Sequence, residues 1–331
     1  MQKMFLMASR CSLRLQLRFT SLAAAAVIAF STAAAAHDTA FIRYANVGCD
    51  TVLETSGPDV ALDTPFVLAS VGKLMTAVAV LRLVEAGQLD LDAAADDLID
   101  APILEGHDIR LRHLLTMTSG LPDYYTVDYL EDALANPDAV QRATVALSYA
   151  EDAPVLFEAG ARFDYSNSNY VLLGLIAEKA TGQSYADLMR AEVFGPAGME
   201  NSFVFGSQPL PTSFVTGHSG TEHVRSYYAA DGFGDGGVIA TARDLAAFYV
   251  ALFDTGTLLS RESLSTLMHD PIGVGYGMGV ALDGNLVGHA GGDYGFAADI
   301  RFDLETGDFA LTLIGDEGAE TSWTYDILDM R

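Results

Sequence analysis

Hydrophobic positions follow a strand-like period at both ends of the chain. Between Phe41 and Ser56 the apolar residues come in short runs, with turn signals at Gly48 and at Gly57-Pro58. The same short period returns after Tyr276, where a turn at Glu305-Thr306-Gly307-Asp308 separates the last two runs. The predicted C-terminal strands are Val280–Leu282, Leu286–Ala290, Ala297–Asp303 and Phe309–Gly315. We expect these strands to pair in an antiparallel sheet.

The middle of the chain has a helical pattern instead. Leu74 to Val84 is apolar on nearly every side apart from Arg82, which predicts a helix buried in the core and ended by Gly87. Further helices are predicted over Asp132–Leu147, over Tyr170–Ala180 with Gly182 after it, and over Thr321–Met330. The prediction is an α/β fold of the α+β type, with an antiparallel sheet flanked by helices. The sheet comes from about residues 37–65 and 275–331, and the mostly helical lobe from about 88–235.

The first 36 residues do not fit this fold. Lys3, Arg10, Arg14 and Arg18 precede an alanine-rich apolar run that ends in small residues at 34–36. This order is typical of a secretory signal, and the run is short for a membrane anchor. We therefore expect residues 1–36 to be a cleaved signal peptide and the protein to be periplasmic or secreted, with no stable membrane insertion after cleavage. Because no linker or repeat divides the rest, residues 37–331 are predicted to form one domain.

The charge of the chain restricts its partners. The net charge is −26, and half of the residues are hydrophobic, so a strongly acidic surface surrounds a sizeable core. Such a field repels phosphate backbones and argues against nucleic-acid binding. The sequence leaves the oligomeric state open.

One serine stands where a nucleophile would be useful. Ser70 opens the predicted buried helix, and Lys73 follows it by one helical turn on the same face. A serine needs a neighbouring base to take its proton, and burial lowers the pKa of a lysine so that the neutral amine becomes accessible. The Ser-x-x-Lys spacing is a weak signal alone, since it arises by chance in ordinary proteins.

Two later segments add groups of the same chemistry. Tyr165-Ser166-Asn167 lies in a predicted loop, where a tyrosinate could share the role of base and an amide could hold a carbonyl. His289-Ala290-Gly291-Gly292 lies on a predicted strand, where small residues would allow a substrate backbone to approach closely. Considered separately, Tyr165 and His289 would each be interpreted as structural residues.

The three segments in this order resemble the serine β-lactamase and penicillin-binding protein group. The likeness is greatest to its class C and D-alanyl-D-alanine carboxypeptidase branch, which also holds esterases and D-amino-acid amidases. The segments His113–Leu121 and Gly236–Leu245 match that pattern too. The resemblance implies that Ser70 forms an acyl-enzyme, that Lys73 and Tyr165 act together as general base, and that Asn167 contacts the substrate. It also implies that the amides of Ser70 and Gly292 form an oxyanion hole beside Gly291.

Two departures from the family pattern affect these expectations. Only about thirty residues separate the expected cleavage point from Ser70, so the sheet is expected to lack part of one edge. His289 replaces the lysine of many β-lactamases, and a histidine is mostly neutral at neutral pH. The resemblance therefore favours a D-alanyl-D-alanine carboxypeptidase-like enzyme or an esterase, acting on a small or peptidoglycan-derived substrate.

The sequence is also compatible with other functions. The alternatives are a β-lactamase and a non-catalytic protein that binds penicillin or muropeptides. A Ser-His-Asp hydrolase finds little support, because Gly217-His218-Ser219-Gly220 is not a nucleophile elbow. No paired-histidine helix or cysteine cluster suggests a metal, so we expect neither a metal nor another cofactor.

Overall fold

A six-stranded antiparallel sheet forms the centre of the protein. The computed structural model describes residues 39–57, 59–135, 142–224 and 233–329, so the predicted signal peptide lies outside the described residues. The strands are β1 (Phe41–Val47), β2 (Asp50–Ser56), β3 (Pro65–Val67), β4 (Phe203–Val204), β5 (Gly217–Ser219), β6 (Glu222–Val224), β7 (Val238–Thr241), β8 (Ala281–Asp283), β9 (Leu286–Asp293), β10 (Phe296–Asp303) and β11 (Phe309–Ile314). The large sheet has the order β2-β1-β11-β10-β9-β8, and smaller sheets have the orders β3-β7-β4 and β5-β6.

Strands from the two ends of the chain meet inside this sheet. In the antiparallel pairing of β1 with β11, Phe41 lies opposite Ile314 and Asn46 lies opposite Phe309. The prediction of an antiparallel sheet built from both chain ends is confirmed. The expectation of an incomplete edge is wrong, because β1 and β2 pair along their whole length and β2 forms the outer strand.

Helices and short helical turns fill the middle of the chain. The α-helices are α1 (Gly72–Glu85), α2 (Ala95–Leu98), α3 (Leu111–Leu115), α4 (Val127–Ala135), α5 (Ala143–Glu151), α6 (Asn167–Thr181), α7 (Tyr185–Met189), α8 (Gly195–Ala197), α9 (Ala242–Tyr249), α10 (Arg261–Leu267) and α11 (Trp323–Asp329). Two 3-10 turns cover Ala69–Val71 and Pro102–Leu104, and π-helical turns at Arg190–Phe194 and Val250–Asp254 extend α7 and α9. Among the described residues, no helix has the length and apolar character needed to cross a membrane.

The position of α1 inside the core explains why its residues are apolar on nearly every side. From Gly72 to Leu81 every residue of α1 is buried, and Lys73 is among them. Strands β10 and β11 are buried at every position, which means that both faces of the sheet are covered here. On one face α11 packs Ile327 and Leu328 against Ala45 and Ala310. A charged side chain inside such a core must find partners, and this requirement shapes the site around Lys73.

Three helix boundaries bear on the site or on the predictions. The helix predicted over Tyr170–Ala180 begins earlier, at Asn167, and ends at Gly182 in the left-handed conformation with φ of 69°. Gly87, with φ of 70°, follows the end of α1 as predicted. The single helix predicted over Asp132–Leu147 is wrong in its bounds, since α4 begins at Val127 and α5 ends at Glu151, with residues 136–141 between them outside the described residues.

Candidate active site

The turn that carries Ser70 has an unusual backbone. Strand β3 leads into the 3-10 turn Ala69–Val71, which continues directly into α1. Ala69 has φ of 46°, in the left-handed region that residues with a side chain seldom adopt. Hydrogen bonds from Leu68 N to Val238 O (3.0 Å) and from Val71 N to Leu68 O (3.2 Å) hold the turn. The turn leaves Ser70 half-exposed at the start of a buried helix.

Lys73 is completely buried and touches three oxygen atoms. Its Nζ lies 3.0 Å from Ser70 Oγ, 2.8 Å from Asn167 Oδ1 and 2.5 Å from the backbone carbonyl oxygen of Asp235. An ammonium group has three donors and satisfies all three contacts. A neutral amine would donate to Asn167 and Asp235 and accept the Ser70 hydroxyl proton. The contacts therefore suit proton transfer between Ser70 and Lys73 in either direction.

Charge decides which form of Lys73 the site favours. Burial alone lowers the pKa of Lys73, but electrostatic interactions with Tyr165 and Asp235, together with a hydrogen bond to the Tyr165 side chain, outweigh it, and the net pKa is raised. The expectation that burial makes the neutral amine accessible is therefore wrong in its net direction. A sequence shows that a lysine lies in a buried helix, but not which negative groups from other segments surround it.

Asn167 is fixed by two charged neighbours on opposite sides. Its Oδ1 accepts from Lys73, and its Nδ2 donates to Asp123 Oδ2 at 2.9 Å. Because the ammonium form of Lys73 only donates and a carboxylate only accepts, this amide orientation is the one that chemistry allows when Lys73 is charged. Asn167 is the first residue of α6, and Ser166 and Ser168 donate to Pro122 O at 3.1 and 2.7 Å. These bonds tie the start of α6 to the loop that carries Asp123.

The hydroxyl group of Tyr165 is buried without a hydrogen-bond partner among the described residues. The Tyr165 ring centroid lies 5.1 Å from Lys73 Nζ, 6.3 Å from the Tyr276 ring and 6.4 Å from the His289 ring. A buried hydroxyl without a well-formed hydrogen bond costs free energy, so its presence beside Lys73 suggests that substrate or a transferred proton supplies the partner.

His289 is buried against Tyr276 and lies near the Tyr165 ring. Its Nε2 lies 3.0 Å from Tyr276 Oη, its Nδ1 lies 2.5 Å from Ala290 O, and 6% of the residue is exposed. Burial, together with the positive charge of Lys73, lowers the pKa of His289 to about 3. The imidazole is therefore neutral at physiological pH, in line with the sequence argument, and it supplies no positive charge to a substrate.

The two glycines after His289 have different surroundings. Strand β8 pairs with β9 only from Leu286 to Gly288, so the following residues extend past it beside the Ser70 turn. A β-carbon at Gly291 would lie 2.5 Å from Leu68 O and 3.0 Å from Ser70 N. At Gly292, which is exposed, a β-carbon would meet no heavy atom within 4 Å. The space beside Gly291 that was predicted for a substrate backbone is thus occupied by the turn that carries Ser70.

This contrast gives a matched pair of substitutions. Gly291→Ala should lower the free energy of unfolding by about 1–3 kcal/mol, because both obstructing atoms belong to the backbone. Gly292→Ala should leave it within about 0.5 kcal/mol of wild type. Urea unfolding of the two variants measures the difference. Equal stability would show that β9 does not pack on the Ser70 turn as described.

Asp235 is a site residue that the sequence reasoning missed. It is 5% exposed, its Oδ2 accepts from Tyr124 Oη at 2.8 Å, and its Oδ1 has no hydrogen-bond partner among the described residues. Burial raises the pKa of Asp235 to about 6, and the Lys73 charge opposes that rise. The available signal was an aspartate flanked by glycines at Gly234-Asp235-Gly236-Gly237, next to a segment already matched to the family.

The loop around Asp235 is packed tightly against two helices. Thr76 of α1 donates to Gly234 O at 2.6 Å. A β-carbon at Gly234 would lie 2.3 Å from the backbone oxygen of Tyr170 in α6. The loop therefore holds Asp235 beside Lys73 through contacts with both helices that contribute to the site.

No group of three or more His, Cys, Asp or Glu side chains suited to a metal occurs among residues 39–57, 59–135, 142–224 and 233–329. The prediction that the reaction needs no metal or other cofactor stays a prediction.

The comparisons with known proteins agree with this geometry. The chain is 32% identical over 257 residues to Penicillin-binding protein 4* of Bacillus subtilis, covering 70% of this chain and 56% of that protein. It is 28% identical over 208 residues to D-aminopeptidase of Cereibacter sphaeroides, covering 60% of this chain and 40% of that protein. The chain thus spans about half the length of the curated relatives it matches.

Solved structures have the same fold over most of the chain. A penicillin-binding protein from Bacillus halodurans superposes with a TM-score of 0.74 at 27% identity, covering 87% of this chain and 93% of that one. D-amino acid amidase from Ochrobactrum anthropi superposes with a TM-score of 0.70 at 26% identity, covering 85% and 89%. The sequence profile described as Beta-lactamase matches residues 31–319. This chain belongs to the Beta-lactamase family.

Proposed function

We propose that this chain is a serine hydrolase that cleaves a peptide, amide or ester bond through an acyl-enzyme on Ser70. The observation that carries the proposal is the 3.0 Å contact between Ser70 Oγ and Lys73 Nζ at the half-exposed end of a buried helix. Nucleophile and proton acceptor at hydrogen-bond distance, with a third group holding the acceptor, are the requirements for nucleophilic catalysis. Here Asn167 is the third group.

Acylation would start with attack of Ser70 Oγ on the substrate carbonyl carbon. The hydroxyl proton passes to the pair formed by Lys73 and Tyr165, and the carbonyl oxygen takes up the negative charge. The backbone amides of Ser70 and Gly292 are the proposed donors to that oxygen, since β9 runs beside the Ser70 turn. When the tetrahedral intermediate collapses, the same pair returns the proton to the leaving amine or alcohol.

Deacylation would repeat these steps with water. The Lys73–Tyr165 pair takes a proton from water, the hydroxide attacks the ester on Ser70, and the proton returns to Ser70 Oγ. Asn167 would contact the substrate through the Nδ2 hydrogen that its bond to Asp123 leaves over. The net reaction consumes one water and releases an acid together with an amine or alcohol.

Substrate charge separates the candidate activities. Penicillins and D-alanyl-D-alanine peptides end in a carboxylate, which prefers a positive partner. His289 is neutral, and Asp123 and Asp235 add negative charge around Lys73. These features favour substrates without a free carboxylate beside the scissile bond, such as amides and esters, over the β-lactamase and strict carboxypeptidase alternatives. D-Aminopeptidase and D-amino acid amidase among the relatives are consistent with this choice.

A substrate series tests the proposal. We expect a D-alanyl-D-alanine peptide amide and an activated aryl ester to be hydrolysed with kcat/KM at least about tenfold above that of the peptide with a free carboxylate. Steady-state rates with purified protein, beside Ser70→Ala, provide the measurement. Preference for the free carboxylate would indicate a carboxypeptidase. Binding of every compound without turnover or acylation would indicate the non-catalytic alternative.

A further inference from the structure

We propose that the hydrogen bond between Tyr125 and Asp293 closes one end of the Ser70 cleft and limits the acyl part of the substrate to about one amino-acid residue. Tyr125 Oη donates to Asp293 Oδ1 at 2.8 Å, and the two residues are 168 positions apart in sequence. This contact is called the Tyr125–Asp293 bridge below. The inference rests on the proposed Ser70 hydrolase function and makes Tyr125 a residue that determines specificity.

Asp293 lies on the side of β9 that faces the Ser70 turn. Side chains alternate along a strand, so His289, Gly291 and Asp293 share one face. His289 and Gly291 are buried, whereas the residues that alternate with them are exposed. Gly291 lies against the Ser70 backbone, and Asp293 follows it by two residues, about 7 Å along the strand. The Asp293 carboxylate is therefore placed at the end of the cleft, beyond the proposed oxyanion donor Gly292.

Tyr125 reaches Asp293 from the opposite wall of the cleft. It lies in loop 122–126, which is tied to the start of α6 by the bond from Asn167 Nδ2 to Asp123 Oδ2. The buried lysine joins Ser70 to Asn167 on this side, and β9 packs on the Ser70 backbone on the other side. Ser70 therefore lies between the loop and the strand, and the bridge connects these two walls.

Both ends of the bridge are held in place. The ring centroid of Tyr125 lies 6.1 Å from that of Tyr124 and 5.6 Å from that of Tyr129. Asp293 Oδ1 also accepts from Tyr294 N at 2.7 Å, which fixes the carboxylate at the turn between β9 and β10. A hydrogen bond to a carboxylate is stronger than one between neutral groups. A substrate that has to displace the bridge therefore binds less well than one that fits beside it.

The order of groups along β9 assigns the closed end to the acyl part of the substrate. The terminal carboxylate of a D-alanyl-D-alanine peptide belongs to the leaving group, and His289 occupies the position of its charged partner. Asp293 lies on the other side of Gly292, so the acyl part extends from the scissile carbonyl toward the bridge. An extended chain rises about 3.3 Å per residue, which leaves room for about one residue before the bridge.

A series of anilides that differ only in the length of the acyl part tests the limit. The compounds are the p-nitroanilides of D-alanine, of glycyl-D-alanine and of alanyl-glycyl-D-alanine. In wild type we expect kcat/KM to fall at least about tenfold from one residue to three, since the longer group has to break a hydrogen bond to a carboxylate. Tyr125→Ala removes the ring and the bridge and should bring the three values to within about threefold of one another. Tyr125→Phe removes only the hydroxyl and should give an intermediate length preference.

Tyr149 provides a matched control for both variants. Its hydroxyl donates to Asp132 Oδ2 at 2.7 Å, and its ring centroid lies 5.4 Å from that of Tyr129. This tyrosine–aspartate bond joins α5 to α4 and does not involve β9. Tyr149→Phe and Tyr149→Ala should therefore keep the wild-type length preference.

The readout is a ratio of rates within one protein, so loss of folded material in a variant does not affect it. Equal kcat/KM for the three anilides in wild type, or an unchanged length preference in Tyr125→Phe, would overturn the proposal. Hydrolysis of none of them by a protein whose Ser70 still reacts with a fluorophosphonate would also overturn it, because peptidyl acyl groups would then be excluded. If Ser70 in wild type does not react either, the proposed function itself is refuted.

Discussion

Ser70→Ala is expected to lower the hydrolysis of activated esters and amides at least about a thousandfold. The oxygen that attacks the carbonyl is lost, and the remaining donors and binding contacts cannot form an acyl-enzyme. The loss should appear in kcat, with KM little changed, because Ser70 Oγ contributes to bond formation and not to substrate affinity. Initial rates with an aryl ester measure the effect.

The variant should still fold. Ser70 Oγ accepts one hydrogen bond from Lys73, which keeps its bonds to Asn167 and Asp235, so the stability loss should be about 1–2 kcal/mol. Ser148→Ala is a matched control, since Ser148 is exposed and donates only to the backbone of its own helix among the described residues. Full ester hydrolysis by folded Ser70→Ala would show that another residue is the nucleophile.

Tyr165→Phe is expected to lower the acylation rate about 10²- to 10⁴-fold, the usual contribution of a positioned acid or base. The same change should leave thermal stability equal to wild type or slightly higher. The Tyr165 hydroxyl is buried without a hydrogen bond among the described residues, so its removal takes away no native contact. A large kinetic loss without a stability loss identifies a group kept for chemistry.

A second tyrosine provides the control for this variant. Tyr249 in α9 is fully buried, and its hydroxyl also has no hydrogen-bond partner among the described residues, but it does not face Lys73. Tyr249→Phe should therefore leave the acylation rate at the wild-type value. If Tyr165→Phe retains more than about a third of the wild-type rate, Lys73 alone is the base, and the shared role of Lys73 and Tyr165 fails.

Local patterns predicted the fold because the apolar period changes where the architecture changes. The short alternating runs at the two ends became the paired strands β1 and β11, and the run from Leu74 to Val84 became the buried part of α1. The nucleophile was predictable for the same reason, since a serine and a lysine one turn apart need only a helix to come together.

The electrostatics of the site were not predictable from local patterns. The pKa of Lys73 is raised by groups more than 90 residues away in sequence, Tyr165 and Asp235, and their distance in space depends on the packing of two loops. Asp235 carried no motif of its own, and an aspartate between glycines is most often an ordinary turn. The loop becomes informative only when Gly234 is seen packed against α6.

The direct test of the central claim is the mass of the intact protein after treatment with a fluorophosphonate, which forms a stable bond with an activated serine. The account predicts one adduct per chain, located on the peptide that contains Ser70, and no adduct on Ser70→Ala under the same conditions. An unmodified wild-type protein, or an adduct that persists on Ser70→Ala, would contradict the assignment of Ser70 as the nucleophile of this Beta-lactamase family member.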